Sequence, residues 1–363
     1  MSLDLPFIFM LLMGLAMLAY VILDGFDLGV GILLPLAPRH EHDLMVASIG
    51  PFWDANETWL VLGVGILLVA FPHAHGVILS SLYLPVAVML LGLIVRGVAF
   101  EFRFKATGWH REIWNRLFFV GSLVTALAQG LMLAGVVTGF ETGLAFTLFG
   151  FLVGIGLAGA YALLGATWLI VKTEGDLEQR AMRWSRWAVL LAAAGVAAIS
   201  LATPFASARI FARWFEWPKI LWLSPLPLLT IAAFLGIRRS TIRLQRGAST
   251  RVWVPFVLAV WVFVLSFAGL AYSLYPFLVM DRMTIWQAAA APESLHFVFV
   301  GTCIVLPFVI AYTLLSYRVF WGKVKEGVSA HYLEDASESI GAPFVVSLRI
   351  LQASTCTSLA GKS

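Results

Sequence analysis

The amino-acid sequence predicts an all-α, polytopic membrane protein. Of its 363 residues, 61% are hydrophobic and 12% are charged, whereas charged residues make up about a quarter of an ordinary water-soluble domain. Apolar runs recur along the chain, and each is close to the ~20 residues that cross a hydrocarbon core of about 30 Å. We therefore expect a single transmembrane domain over residues 1–325, followed by a cytoplasmic tail over residues 326–363 that is lineage-specific or non-native.

Nine transmembrane helices are predicted from the apolar runs. They span residues 5–24, 47–71, 77–100, 117–137, 144–171, 185–204, 219–237, 252–275 and 296–320. Segments with polar or charged residues separate the predicted helices. These segments span residues 25–46, 72–76, 101–116, 138–143, 172–184, 205–218, 238–251 and 276–295. We expect the first eight helices to form two four-helix bundles and the ninth to lie at their periphery.

The distribution of Lys and Arg predicts the orientation of these helices. The first, third, fifth and seventh loops, with the C-terminal segment, carry nineteen of the twenty-four Lys and Arg residues, and the even loops carry four. Because cytoplasmic loops are enriched in Lys and Arg, we expect the N-terminus to face outward and the C-terminus to face the cytoplasm. The net charge of +4 is then a topology signal, and no nucleic-acid partner is implied.

Two acidic pairs lie near the predicted cytoplasmic ends of the first two helices. Asp24 and Asp27 are three residues apart, as are Asp54 and Glu57, so the members of each pair share a helical face. An ionisable side chain inside a membrane helix costs ~2.5–3.5 kcal/mol and needs a partner, water or a function. Coupled protons on such pairs are suited to a proton path.

Asp24 and Asp27 also have a structural alternative. They are able to cap the neighbouring backbone and to pair with Arg39 or Arg96. Close approach of another helix is expected at three glycines, which small residues favour in membranes: Gly25, Gly29 and Gly31. The structural and proton-handling roles both stay open for this pair.

Asp54 and Glu57 favour the proton path more strongly. They are predicted to lie two to three turns inside the second helix, with few basic residues nearby in sequence. Asn56 between them, and Gln129 and Gln287 elsewhere, are single polar groups of the kind that form hydrogen bonds between membrane helices.

The end of the third helix carries mixed charge. Glu101 is expected to be a surface partner of Arg103 or Lys105, and the alternative is an entrance that it lines together with Arg96.

The histidines argue against haem in this chain. Transmembrane haem is usually held by axial His or Met side chains from helix interiors. Six of the seven histidines lie in predicted loops or the tail, and His296 lies at the mouth of the ninth helix. His73 and His75, with no carboxylates nearby, form only a weak metal site. We expect no catalytic residue, bound cofactor or metal here.

Two motifs give a specific family resemblance. They are DGFDLGVG at residues 24–31 and GPFWDANETWL at residues 50–60. Together they closely resemble subunit II of cytochrome bd-type ubiquinol oxidases, including the cyanide-insensitive branch. Further likeness at residues 96–103, 165–169 and 275–276 extends the resemblance to about residue 325.

The resemblance implies a respiratory terminal oxidase that works as a heterodimer. Subunit I would hold the quinol site and the haems, of types b and d or of type b only, and this chain would carry none. The complex oxidises quinol and reduces oxygen to water, and it generates a proton-motive force without pumping. Small accessory subunits, membrane lipid and a structural quinone are further partners in such a complex.

The resemblance also assigns roles to residues. Asp54 matches a membrane carboxylate proposed for a proton pathway, Trp53 and Trp59 flank it, and Asp24 and Asp27 match an acidic pair in the first helix. Two other functions stay open: a proton-coupled secondary transporter, and a purely structural assembly subunit of the same oxidase.

Overall fold

The computed structural model describes residues 4–206 and 208–324, whose regular secondary structure is helical apart from one two-stranded antiparallel hairpin. The α-helices are α1 (Leu5–Leu33), α2 (His42–Ala47), α3 (Trp53–Ala70), α4 (Pro72–Lys105), α5 (Gly108–Val137), α6 (Leu144–Lys172), α7 (Gly175–Ala206), α8 (Ala208–Phe215), α9 (Lys219–Leu223), α10 (Pro225–Gln245), α11 (Val254–Leu274), α12 (Ile285–Ala288) and α13 (Pro292–Val319). Two 3-10 turns cover Leu34–Leu36 and Arg39–Glu41, and the hairpin pairs β1 (Phe277–Val279) with β2 (Met283–Thr284). The tail predicted over residues 326–363 lies outside the described residues, and the division into domains stays a prediction.

Nine helices in the described part of the chain are long and apolar enough to cross a bilayer. They are α1, α3, α4, α5, α6, α7, α10, α11 and α13, and each corresponds to one predicted helix. The predicted all-α membrane fold with nine transmembrane helices is confirmed.

The ends of the first two helices differ from the prediction. α1 continues to Leu33 instead of stopping at residue 24, because Asp24 and Asp27 are buried among partners and do not end the apolar segment. α3 begins at Trp53 instead of residue 47. Pro51 separates it from the short helix α2, and a proline inside a helix removes a backbone hydrogen bond.

α6 is the central helix of the fold. Eighteen of its 29 residues are buried, and it packs against α1, α5, α7 and α11. The closest approach is to α1, where a Cβ added to Gly29 would lie 1.8 Å from the carbonyl oxygen of Tyr161. The predicted role of Gly29 in close helix approach is therefore confirmed.

The first helix joins the two halves of the chain. α1 packs against α3 of the first half and α6 of the second, so the predicted grouping into two separate four-helix bundles is not confirmed. α13 packs against α1 and α3, and only Leu295 and Thr313 of its 28 residues are buried.

Aromatic side chains tie four helices together at the level of the acidic motifs. Phe26 on α1 stacks on Trp168 of α6, with ring centroids 4.3 Å apart, and Phe52 stacks on Tyr317 of α13 at 4.5 Å. The indole nitrogen of Trp168 also donates a hydrogen bond of 3.2 Å to the carbonyl of Ser48. These contacts fix the start of α3 against α1 and α13.

Candidate functional site

Asp24, Glu57 and Arg96 form a cluster that we call the carboxylate–arginine centre. The Arg96 guanidinium lies 2.7 Å from Asp24 Oδ1 and 3.4 Å from Glu57 Oε1. Asp24 and Arg96 are fully buried, whereas 28% of the Glu57 side chain is exposed. The sequence motifs from three different helices thus meet at one point.

The local sequence explains how Arg96 reaches this position inside α4. A Cβ on Gly121 of α5 would lie 2.8 Å from the Arg96 backbone nitrogen, and one on Gly92 would lie 2.5 Å from Thr125 Oγ1. The two glycines let α4 and α5 approach closely and bury this segment. Of the two basic partners that the sequence offered for Asp24, Arg96 is the one that it contacts, whereas Arg39 pairs with Glu112 at 3.5 Å.

Asp27 lies one turn further along α1 and is bound by Asn56. The Asn56 amide nitrogen donates to Asp27 Oδ2 at 2.8 Å and to the carbonyl of Leu23 at 3.2 Å. The Tyr317 hydroxyl donates to Asn56 Oδ1 at 3.0 Å. Asn56 therefore forms hydrogen bonds between helices, as predicted, and it joins α1, α3 and α13.

Asp54 does not lie where the sequence predicted. It is the second residue of α3 and is exposed, rather than two to three turns inside the helix, because α3 starts six residues later than expected. Glu57, one turn on, is partly exposed, and Asp24 and Asp27 on the neighbouring helix α1 are fully buried. The carboxylates therefore form a series from the surface to the interior.

The two tryptophans that flank Asp54 lie against its helix in different ways. Trp53 is half-buried and packs on Phe100, with ring centroids 4.7 Å apart. Trp59 is buried beside Ala16 and Tyr20 of α1.

The expected pairing of Glu101 with Arg103 or Lys105 is not found among the described residues. Arg103 is fully buried and contacts Asp43 at 3.0 Å and Asn115 at 2.9 Å. Glu101 is exposed, and residues two apart on a helix do not face each other. Asp43 also accepts from Arg111 at 2.5 Å, so a second polar cluster lies beyond the first.

An aromatic layer separates these two polar clusters. Phe100 follows Arg96 by four residues and precedes Arg103 by three, so it lies on the same face of α4 between them. It is buried and packs against the equally buried Phe118, with ring centroids 6.1 Å apart. A buried aromatic pair therefore lies between Arg103 and Arg96, whereas Glu57, which contacts Arg96, is partly exposed.

Some buried polar groups were missed by the sequence interpretation. His42, expected in a loop, lies buried in α2, with its ring nitrogens 3.1 Å from Asn115 Nδ2 and from the carbonyl of Ala37. Tyr317 was also missed. It lies near the end of an apolar run, and its partner Asn56 is 261 residues away in sequence. Neither position carries a local signal of its partner.

Gln129 forms the predicted hydrogen bonds between helices. Its amide nitrogen donates to the Tyr20 hydroxyl at 2.7 Å, and it accepts from the Tyr161 hydroxyl at 2.5 Å. Tyr20 is one turn before Asp24 on α1, so these bonds extend the polar interior beyond the acidic motif. Gln287 instead completes a capping box with Thr284 at the start of α12.

A family model described as cytochrome bd terminal oxidase subunit II matches residues 5–320. The chain belongs to this family. It is 29% identical to cytochrome bd-I ubiquinol oxidase subunit 2 of Escherichia coli strain K12, with 88% of this chain and 95% of the relative covered. It is 27% identical to cytochrome bd ubiquinol oxidase subunit 2 of Bacillus subtilis strain 168, with 86% and 95% covered.

A solved bd oxidase shares the fold of this cytochrome bd subunit II. The structure of bd oxidase from Geobacillus thermodenitrificans superposes with a TM-score of 0.71 at 16% identity, covering 88% of this chain and 99% of the other. The predicted family resemblance is confirmed. The chain is a multi-pass membrane subunit of a cytochrome bd ubiquinol oxidase, an oxidoreductase complex whose family implies a haem-carrying partner, subunit I.

No group of three or more His, Cys, Asp or Glu side chains within the described ranges is arranged to hold a metal ion. His73 and His75 lie in the first turn of α4 rather than in a loop. That this subunit II carries no haem or metal stays a prediction, as does a structural quinone or lipid. An apolar groove of about 520 Å³ between α4, α5 and α6 lies away from the carboxylate–arginine centre.

Proposed function

We propose that this chain is a haem-free subunit II that supports subunit I and contributes a cytoplasmic proton path for the reduction of oxygen to water. The observation that carries the proposal is the series of carboxylates from exposed Asp54, through partly exposed Glu57, to buried Asp24 and Asp27. Family membership favours this function over a proton-coupled secondary transporter.

The charge of the buried groups supports proton exchange. Asp24 and Glu57 share Arg96, and the nearby Asp27 is bound by the neutral amide of Asn56. An isolated charge in a low-dielectric interior is costly unless it is paired. Protons bound by the carboxylates compensate the excess negative charge, and their movement along the series is the chemistry that we assign to this site.

Two polar atoms near the site are free to bind water. Among the described residues, the Trp59 indole nitrogen and Thr125 Oγ1 have no hydrogen-bond partner. Buried polar groups of this kind usually bind ordered water, which would connect carboxylates that do not touch each other.

We infer that the Asp54 side of the molecule faces the cytoplasm of a bacterial inner membrane, with a periplasmic N-terminus and a cytoplasmic C-terminus. The positive-inside distribution supports this orientation. At the Asp54 end, Arg39, Arg111 and Arg180 pair with acidic residues that precede or follow the membrane segments. Protons would then enter from the cytoplasm.

Within the complex, quinol oxidation and oxygen reduction belong to subunit I, with haems b and d or b only. This chain would hold no quinol site and would not pump protons. Uptake of chemical protons from the cytoplasm, with release of quinol protons on the other side, makes the complex electrogenic. Accessory subunits, a structural quinone and resistance to cyanide are compatible with this role, and the residues described here are not specific to any of them.

The competing proposal is a purely structural subunit in which the same contacts only hold helices together. The variants Glu57→Gln and Asp54→Asn, made in the intact complex, distinguish the proton-path function from the structural one. Glu101→Gln is the matched control on the same side of the membrane. We expect oxygen consumption with quinol to fall at least about tenfold, as for a lost proton-transfer group, while haem content stays normal. Unchanged turnover in both variants would leave the structural function as the better account.

A further inference from the structure

A basic pocket lies where the end of α10 meets the start of α11, and we call it the α10–α11 pocket. Its volume is about 540 Å³, which is within the range of about 300–1,000 Å³ for small-molecule sites. Its walls carry three arginines and three hydroxyl groups: Arg239, Arg243, Arg251, Ser240, Ser249 and Thr250. All six side chains are able to donate hydrogen bonds, so the pocket is suited to an acceptor.

The positive charge of the α10–α11 pocket has no acidic counterpart nearby in the sequence. No Asp or Glu occurs between Glu216 and Asp281, a range that contains all of α10, the connecting loop and all of α11. Within the described residues, the three arginines of the pocket form no ion pair. The topology of the chain requires arginines in this loop, but it does not require them to line one cavity. Their charge is therefore available to an external anion.

The end of α10 turns the loop back towards the helix. The N–H of Gly247 donates to the carbonyl of Leu244 at 3.0 Å, and the N–H of Ala248 donates to the carbonyl of Arg243 at 2.8 Å. Gly247 has a φ of +67°. This pair of bonds with a left-handed glycine is a Schellman motif, which ends a helix and reverses the chain. The turn brings Arg251 of the loop to the same pocket as the arginines of α10.

The inner end of the pocket is apolar and lies between the two membrane helices. Gly236 and Leu258 line it, and a Cβ added to Gly236 would lie 2.9 Å from Leu258 Cδ1, so α10 and α11 touch at this point. Gly236 lies nine residues before the end of α10 at Gln245, or about 13 Å along the helix. The pocket therefore passes from arginines at its outer end to apolar side chains at its inner end.

A phospholipid matches this change of polarity better than a free anion does. Arginine binds phosphate oxygens through paired N–H donors, and Arg239 and Arg243 are exposed and four residues apart on one helical face. Basic pockets between membrane helices bind anionic head groups. Free phosphate would leave the apolar inner end uncovered, whereas an acyl chain would cover it. A zwitterionic head group brings its own positive charge to the arginines and fits less well.

We propose that the α10–α11 pocket binds the phosphate group of an anionic phospholipid, and that one acyl chain of this lipid lies along Val254 and Leu258. The inference goes beyond the proposed proton path. No part of it depends on proton transfer.

Photolabelling of the intact complex tests the lipid site. The complex is reconstituted into phosphatidylcholine vesicles with a trace of phosphatidylglycerol that carries a diazirine on its acyl chain near the head group, and adducts are mapped by peptide mass spectrometry. We expect adducts on residues 236–258, at least tenfold more than with the same diazirine on phosphatidylcholine. Equal labelling by the two lipids would overturn the proposal. Displacement of the label by excess inorganic phosphate would also overturn it, because the pocket would then take a free anion.

Paired arginine variants locate the site. Arg239→Gln with Arg243→Gln removes two charges from the pocket, and Arg238→Gln with Arg246→Gln removes two exposed charges from the same helix outside it. Each basic residue near an anionic lipid surface contributes about a fivefold gain in affinity. We therefore expect labelling by the phosphatidylglycerol probe to fall at least about tenfold in the first variant and to stay within about twofold in the second.

The absorbance spectrum of each purified complex serves as the check that the haem-carrying complex is intact. Equal labelling of the two variants would contradict the proposal, because the arginines would then attract anionic lipid only through their general charge. A failure of the proton path would leave the labelling unchanged, since photolabelling does not depend on turnover.

Discussion

At the residue scale, Arg96 determines how many charges the buried site can hold. It lies within 4 Å of Asp24 and Glu57 and is fully buried. A buried ion pair contributes little compared with apolar packing, but removal of one partner leaves an uncompensated charge. The arginine is therefore a positioning residue for the carboxylates, and its loss should disturb them all.

Arg96→Met should destabilise the complex strongly. Breaking a buried pair costs about 3–5 kcal/mol, which we expect as a lower midpoint of thermal unfolding in mild detergent. The double variant with Asp24→Asn removes both charges and should recover a large part of the loss. If the two single effects simply add in the double variant, Asp24 and Arg96 are not coupled, contrary to the structure.

Sequence reasoning located the acidic residues of the site but not their depths. Pairing of Asp24 with Arg39 or Arg96 was one of two alternatives that the sequence left open, and the structure pairs it with Arg96. The predicted position of Asp54 was wrong, because the depth of this residue within the helix depends on where α3 starts. Tyr317 and His42 were missed because their partners are distant in sequence, so only packing brings them together.

At the element scale, the contact between α1 and α6 sets the geometry of the site. Cβ atoms added to Gly29 and Gly165 would lie 1.8 Å and 2.4 Å from backbone atoms of the opposite helix. α1 carries Asp24 and Asp27, and α6 carries Trp168 and Tyr161. The register of these two helices therefore decides where the carboxylates lie.

Gly29→Ala should separate α1 from α6. Overpacking usually costs about 1–3 kcal/mol, and here the clash is with backbone, so we expect at least the upper value and a reduced yield of assembled complex. Gly97→Ala is the matched control, because its Cβ would make ordinary contacts of 3.7 Å with Trp53. Equal yields and equal unfolding midpoints for both variants would contradict this packing.

The end of α13 is held by Lys172, the last residue of α6. Its ammonium group donates to the carbonyls of Phe320 at 2.7 Å and Gly322 at 3.2 Å, and lies 5.1 Å from the ring centroids of Phe52 and Trp168. These contacts keep Tyr317, one turn earlier, beside Asn56. Lys172 thus connects the end of the ninth membrane helix to the buried site.

Lys172→Met should loosen this end of α13. Hydrogen bonds to a charged group contribute about 1.5–3 kcal/mol, so amide hydrogen exchange over residues 317–323 should become at least about tenfold faster in the intact complex. Lys219→Met is the control, since Lys219 is exposed and pairs only with nearby Glu216 among the described residues. Equal exchange rates in both variants would show that Lys172 does not hold the end of α13.

At the scale of the whole molecule, composition predicted the membrane fold and the number of helices. The apolar runs sufficed because a bilayer dictates segment length. The arrangement of the helices was not predictable in the same way. The α1–α6 contact joins the two halves through the backbone at Gly29 and Gly165, and hydropathy carries no information on such contacts.

The proposed orientation can be measured with single cysteines. Cys303 and Cys356 are replaced by Ser, and Thr107→Cys or Glu141→Cys places one exposed thiol at opposite ends of α5. In spheroplasts, a membrane-impermeant maleimide should label position 141 and spare position 107, and inverted vesicles should give the reverse. Labelling of position 107 in intact spheroplasts would contradict a cytoplasmic entrance at Asp54.

The most direct test of the proton path is proton uptake during a single turnover. The fully reduced complex, held in weakly buffered detergent solution with a pH-indicator dye, is mixed rapidly with oxygen, and Asp54→Asn is compared with Glu101→Gln. We predict that proton uptake slows at least about tenfold in Asp54→Asn, with haem content unchanged, and keeps its native rate in Glu101→Gln. Native uptake in Asp54→Asn, with the complex intact, would contradict a proton path through this subunit.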